Sequence, residues 1–104
     1  MSDYVTVVAA RDVPPGEMLR AFVNDVAICL YNVGGDFCAT QDTCTHAEAS
    51  LCEGDLTGEV VACPLHGAEF NVRTGAALCF PATHPLATYP VRVEGGQVSV
   101  LVER

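Results

Sequence analysis

Short apolar runs and turn residues alternate along most of the chain. Val5, Val7 and Ala9 alternate with Thr6 and Val8, which predicts a first strand. Two prolines and a glycine in Asp12-Val13-Pro14-Pro15-Gly16-Glu17 end it, because proline removes a ladder donor. Met18–Val23 and Val26–Val33 flank Asn24-Asp25, a two-residue spacer with turn chemistry. Gly34-Gly35 separates that second run from Asp36–Thr40, and Gly95-Gly96 separates Tyr89–Glu94 from Gln97–Val102. In the last run Val98, Val100 and Val102 alternate with Gln97, Ser99 and Leu101, a period of two. No helical period competes, so the fold class is all-β, a set of small antiparallel sheets.

The rhythm breaks between residues 41 and 74, where strand signal survives only at Val60–Ala62 and Phe70–Val72. Pro81, Pro85 and Pro90 around His84 then predict a stiff loop and not a central strand. The 104 residues are enough for one domain, taken as residues 1–104. With 50% apolar and 17% charged residues, wholesale disorder is excluded. No apolar run approaches the roughly 18 residues of a membrane span. Met1-Ser2-Asp3-Tyr4 lacks the basic-then-apolar signature of a secretory signal, so a soluble, cytoplasmic protein is expected.

Charge is informative by position. The chain has 13 acids and 5 bases, a formal net charge of −8. Between Ala21 and Val72 there is no base, while Asp25, Asp36, Asp42, Glu48, Glu53, Asp55, Glu59 and Glu69 all fall there. Nucleic acid and anionic membranes are therefore excluded as partners, since both need a basic face. A basic protein surface is the natural complement, and solubility is the plain alternative.

Six cysteines in a small chain first raise a disulfide scaffold. The lack of an export signal and the supply of core residues weigh against it, and attention moves to metal binding. Cys44-Thr45-His46 and Cys63-Pro64-Leu65-His66 are two Cys/His pairs in turn-prone stretches. Thiolate with imidazole suits zinc or an iron–sulfur centre. A zinc finger places two cysteines before two histidines, whereas each pair here mixes the types. A two-iron cluster with two thiolates on one iron and two imidazoles on the other matches that mixture, provided both loop tips face the cluster alike.

With Gly67 following the second pair, these segments resemble the two cluster-binding boxes of Rieske 2Fe-2S proteins. The similarity extends through Phe70-Asn71-Val72-Arg73-Thr74-Gly75 and the proline loop leading into Tyr89-Pro90-Val91. Among such proteins, the chain in its length and expected lack of an anchor resembles the small Rieske ferredoxins of multicomponent aromatic-ring-hydroxylating dioxygenases. The resemblance implies a Rieske-like fold with a cluster-binding two-loop insertion at about 41–74. It also implies one 2Fe-2S cluster, with Cys44 and Cys63 on the inner iron and His46 and His66 on the outer. Ala47 departs from the pattern, where many such ferredoxins have glycine.

Two ferric ions, two sulfides and two thiolates sum to roughly zero charge with neutral imidazoles, against about −2 for an all-thiolate cluster, so histidine ligation raises the potential. Respiratory Rieske proteins add a cysteine to each box and a Ser and a Tyr that donate to cluster sulfurs. The matching positions here are Ala49 and Leu65, then Ala68 and Phe70, none of which can serve. A potential at the low end of the Rieske range follows. Cys29 and Cys38 read as small buried hydrophobes, Cys52 and Cys79 as free thiols, and His84 as a surface histidine. Glu48, Glu53 and Glu69 are candidate docking acids.

The function implied is a one-electron carrier and not an enzyme by itself. A flavin-dependent NAD(P)H ferredoxin reductase would load it, and a terminal Rieske non-haem iron oxygenase would unload it. The chain would be a monomer when free. The alternatives are a Rieske-like small subunit of a larger oxidoreductase, such as assimilatory nitrite reductase, and a structural zinc module.

Overall fold

The computed structural model describes residues 3–45, 48–65, 67–79 and 84–102. Among the described residues ten strands run in chain order: β1 (Val5–Ala9), β2 (Met18–Val23), β3 (Val26–Val33), β4 (Asp36–Gln41), β5 (Asp55–Thr57), β6 (Val60–Ala62), β7 (Glu69–Asn71), β8 (Thr88–Tyr89), β9 (Val91–Glu94) and β10 (Gln97–Val100). They form three antiparallel sheets, β1-β10-β9, β2-β3-β4-β8 and β5-β6-β7. The helical elements among the described residues are single 3₁₀ turns, Ala10–Asp12 and Leu51–Glu53. None is long and apolar enough to cross a membrane.

Local turn chemistry sets the hairpins. Asn24 and Asp25 both have positive φ, 52° and 67°, as a two-residue turn closing Val23 onto Val26 requires. Gly34-Gly35 and Gly95-Gly96 close Val33 onto Asp36 and Glu94 onto Gln97 in the same way. The strand expected over Tyr89–Glu94 is interrupted at Pro90. Tyr89 pairs with Ala39 in one sheet while Val91–Glu94 pairs with β10 in another, so the chain changes sheets at the residue that lacks an amide donor. The expected strand at Phe70–Val72 lies one residue earlier, and Asp55–Thr57 is an additional strand.

β3 explains how these short sheets share a core. Ile28, Cys29, Leu30 and Tyr31 have no exposed surface, although their side chains alternate between faces. Ile28 and Leu30 join one cluster with Val23, Ala39, Val98, Val100 and Val102. Cys29 and Tyr31 join the other with Cys44, Leu51, Cys63, Phe70 and Leu86. Covered on both sides, β3 carries an unbroken apolar run instead of an alternation. Its second face is the floor of the region built by residues 41–74.

Candidate metal centre

Two loops of matching construction stand on that floor. In the first, Thr43 bridges Ser50 and the Cys44 amide donates to the Ala49 carbonyl at 2.9 Å. In the second, Ala62 pairs with Glu69 and the Cys63 amide donates to the Ala68 carbonyl at 2.7 Å. Each cysteine therefore opens a loop that its own amide closes five residues later. The two closures are equivalent, offset by 19 positions in sequence. The second is carried by the β6–β7 hairpin, and Gly67 supplies a positive φ of 69° in it.

Each cysteine thus opens its loop in the same way, and the fold brings the two together. Cys44 and Cys63 are 4% and 3% exposed. Their side chains are close enough to hydrogen-bond one another. Burial pushes the Cys63 thiol above its ordinary value; the Leu65 N–H, directed at the sulfur, pulls the other way, and Cys44 adds to the rise. Two adjoining buried thiols with a backbone donor facing one of them suit a cation that takes both as thiolates. His46, His66 and Ala47 lie outside the described residues.

Cys79 and His84 each reach one of the loops. The Thr45 hydroxyl donates to the His84 carbonyl at 2.8 Å, and the Cys79 thiol reaches the Gly67 carbonyl at 3.9 Å. Leu86 is buried and its amide donates to the Gly75 carbonyl at 2.7 Å, which fixes the return of this segment. Gly75 has a φ of 81°, and a Cβ there would stand 2.3 Å from the Leu86 carbonyl oxygen, so only glycine allows the approach. The rim of the loops is apolar, with Leu65 and Leu78 about half exposed and Pro64 and Pro85 exposed beside them.

Sequence reading missed the carboxylate that anchors the first loop. Asp42 is 2% exposed at the end of β4. One oxygen accepts from the Ser50 hydroxyl at 2.9 Å and the Cys52 amide at 3.2 Å, while the other pairs with Arg20 at 3.2 Å. Counted among eight acids without a base, it shows no local sign of burial; its partner Arg20 lies outside that stretch. Asp36 and Glu59 are likewise paired, both with Arg73. Glu48, Glu53 and Glu69 are exposed.

The remaining cysteines need a correction. Cys29 and Cys52, read as a buried hydrophobe and a free thiol, are joined in a disulfide. Strand alternation turns Cys29 toward the loop region, and the 3₁₀ turn after the first loop brings Cys52 to it. Cys38 is a half-buried free thiol, raised chiefly by desolvation, and Cys79 is free and exposed. His84 is exposed.

Taken together, a small all-β frame carries two cysteine loops closed in the same way, which bring two buried thiols together. The chain belongs to the Rieske [2Fe-2S] domain family, whose pattern it matches over residues 3–90. It is 54% identical over 90 residues, 86% of this chain and 84% of the relative, to the 3-phenylpropionate/cinnamic acid dioxygenase ferredoxin subunit of Escherichia coli (strain K12). A chain in the complex of reduced oxygenase and oxidized ferredoxin in carbazole 1,9a-dioxygenase is 46% identical, with a TM-score of 0.88 over 92% of this chain and 99% of that one. The ferredoxin of carbazole 1,9a-dioxygenase from Nocardioides aromaticivorans IC177 is 32% identical, with a TM-score of 0.90 over 93% and 95%. A putative NADH-dependent nitrite reductase small subunit from Mycobacterium tuberculosis shares the fold, with a TM-score of 0.87 over 100% and 98% but only 20% identity. The relatives above that share 32% identity or more carry ferredoxin names, and this chain is likewise an electron-transfer component.

Proposed function

We propose that the protein is the ferredoxin of an aromatic-ring-hydroxylating dioxygenase system. It takes electrons from a flavin-dependent NAD(P)H reductase and delivers them to a terminal Rieske non-haem iron oxygenase. The observation that carries this reading is the pair of loops closed in the same way. Each presents a buried cysteine from an equivalent position and has a histidine two or three residues further along its tip. The chain's similarity to dioxygenase ferredoxins, one of them in complex with its oxygenase, supports this reading of the partners.

Cys44 and Cys63 hold the inner iron, and His46 and His66 the outer. Bound in this way, the cluster supplies one-electron chemistry. The protein's share is to keep the thiolate side dry, through the buried cluster of Tyr31, Leu51, Phe70 and Leu86. At the tips, Pro64, Leu65, Leu78 and Pro85 form a partly apolar rim for a small, transient contact of the kind redox partners make. Exposed Glu48 and Glu53 flank the first loop and steer a basic reductase surface.

Reconstitution with a candidate reductase, NADH and a ring-hydroxylating oxygenase tests the reading. The complete mixture is expected to hydroxylate an aromatic substrate, and His66→Ala to abolish turnover. Unchanged turnover with that variant would remove the assigned ligand. A chain that passes no electrons to any such oxygenase, but co-elutes with a larger reductase, would favour the subunit alternative.

A further inference from the structure

Behind the first loop lies a second pair of sulfurs. Cys29, in β3, has no exposed surface, whereas Cys52, in the 3₁₀ turn Leu51–Glu53, is half-buried. Their Cα atoms are 5.8 Å apart across 23 residues of sequence. That spacing is usual for a disulfide, so the bond closes without moving the backbone. The chain it encloses includes β4, Asp42 and the whole first loop with Cys44. Cys29, Cys44 and Cys63 belong to one buried cluster, and Cys52 packs against it.

We propose that Cys29–Cys52 is a reversible thiol–disulfide couple that sets how firmly the first loop is held. The chain thereby carries a two-electron redox site separate from its one-electron centre. Unequal burial gives the direction of attack. A thiolate of a dithiol reductant reaches the sulfur of half-buried Cys52, forms a mixed disulfide there and expels the Cys29 sulfur. The reductant's second thiol then displaces Cys52. One S–S bond breaks in the protein and one forms in the reductant, while two protons and two electrons pass to Cys29 and Cys52. A low-molecular-weight disulfide reverses the exchange.

Reversibility follows from a second clip. The Cys52 amide and the Ser50 hydroxyl stay bonded to the Asp42 carboxylate, and the Leu51 amide donates to the Asp42 carbonyl at 2.8 Å. These bonds keep the 3₁₀ turn beside β3 when the sulfurs part. Reduction therefore loosens the loop without releasing it.

The consequence for the cluster rests on the proposed function; the sulfur couple itself does not. In holoprotein isolated without thiols and alkylated, peptide mapping is expected to recover a linked Cys29–Cys52 peptide. Dithiothreitol should convert it to two alkylated peptides, and oxidised glutathione should restore it. Bleaching of the visible absorption at fixed temperature should run roughly tenfold faster after reduction, because a cross-link over such a loop restrains its opening by at least that factor. Cys52→Ala should bleach at the fast rate with or without dithiothreitol. Alkylated, unlinked Cys29 and Cys52 in the unreduced holoprotein would overturn the proposal, as would equal bleaching rates for linked and reduced protein. A preparation with no cluster would defeat the functional reading instead. The couple would then be judged by mapping and melting, and a linked chain that melts no higher than the reduced one would overturn it.

Discussion

Replacing Asp42 tests whether the first loop is held by hydrogen bonding to one buried carboxylate. In Asp42→Ala, the Ser50 hydroxyl and the Cys52 amide lose their shared acceptor. Leaving partly buried donors without a partner costs about 1–3 kcal/mol each, so ~3 kcal/mol is a reasonable sum. The pair with Arg20 adds little, because that side chain is 51% exposed and screened by water. Unfolding entropy of roughly 2.1 cal/mol/K per residue converts ~3 kcal/mol into a fall of about 14 °C for a chain of this length. Asp42→Asn keeps an acceptor oxygen in place and should cost only ~1 kcal/mol, or about 5 °C. The assay is the apparent melting midpoint of holoprotein under argon at one fixed scan rate, followed by far-ultraviolet circular dichroism. An Ala variant within about 2 °C of the parent, or an Asn variant as damaged as Ala, would refute the reasoning.

Two further outcomes follow from the loop chemistry. Ala68 is buried at the close of the second loop, where the resemblance to respiratory Rieske proteins implies a hydroxyl in them, so Ala68→Ser should raise the reduction potential. One added hydrogen bond of ~1–2 kcal/mol corresponds to about 40–90 mV for a one-electron couple, read by protein-film voltammetry, and an unchanged or lower potential would count against the low-donor explanation. Glu48→Gln or Glu53→Gln should slow reduction by the reductase severalfold at low ionic strength and little at high salt, measured by stopped flow. Equal slowing at all ionic strengths would remove the acidic steering.

The parts legible in the sequence were those set by neighbours along the chain. Asn24-Asp25, Gly34-Gly35 and Gly95-Gly96 carry the backbone freedom that their hairpins use; the first two join strands close to those expected, while the last joins a run split at Pro90 to a strand that ends at Val100 and not Val102. The two cysteine loops were legible because Cys44 and Cys63 each sit among turn-prone neighbours in the sequence. Features fixed by distant contacts were not. Pro90 as a sheet-switching point depends on which partners Tyr89 and Val91 find. Cys29 sits in a strand buried on both faces, so periodicity alone could not tell which face meets Cys52. Asp42 looked like one more surface acid until the fold placed Arg20, Ser50 and the Cys52 amide around it.

Electron transfer as proposed requires a centre with one sulfur-ligated and one nitrogen-ligated iron. Pulsed electron paramagnetic resonance of the anaerobically purified, dithionite-reduced protein examines this directly. Couplings from two imidazole nitrogens, with one lost in each of His46→Ala and His66→Ala, are the expected result. A centre without nitrogen coupling, or a colourless protein with stoichiometric zinc and no acid-labile sulfide, would contradict it.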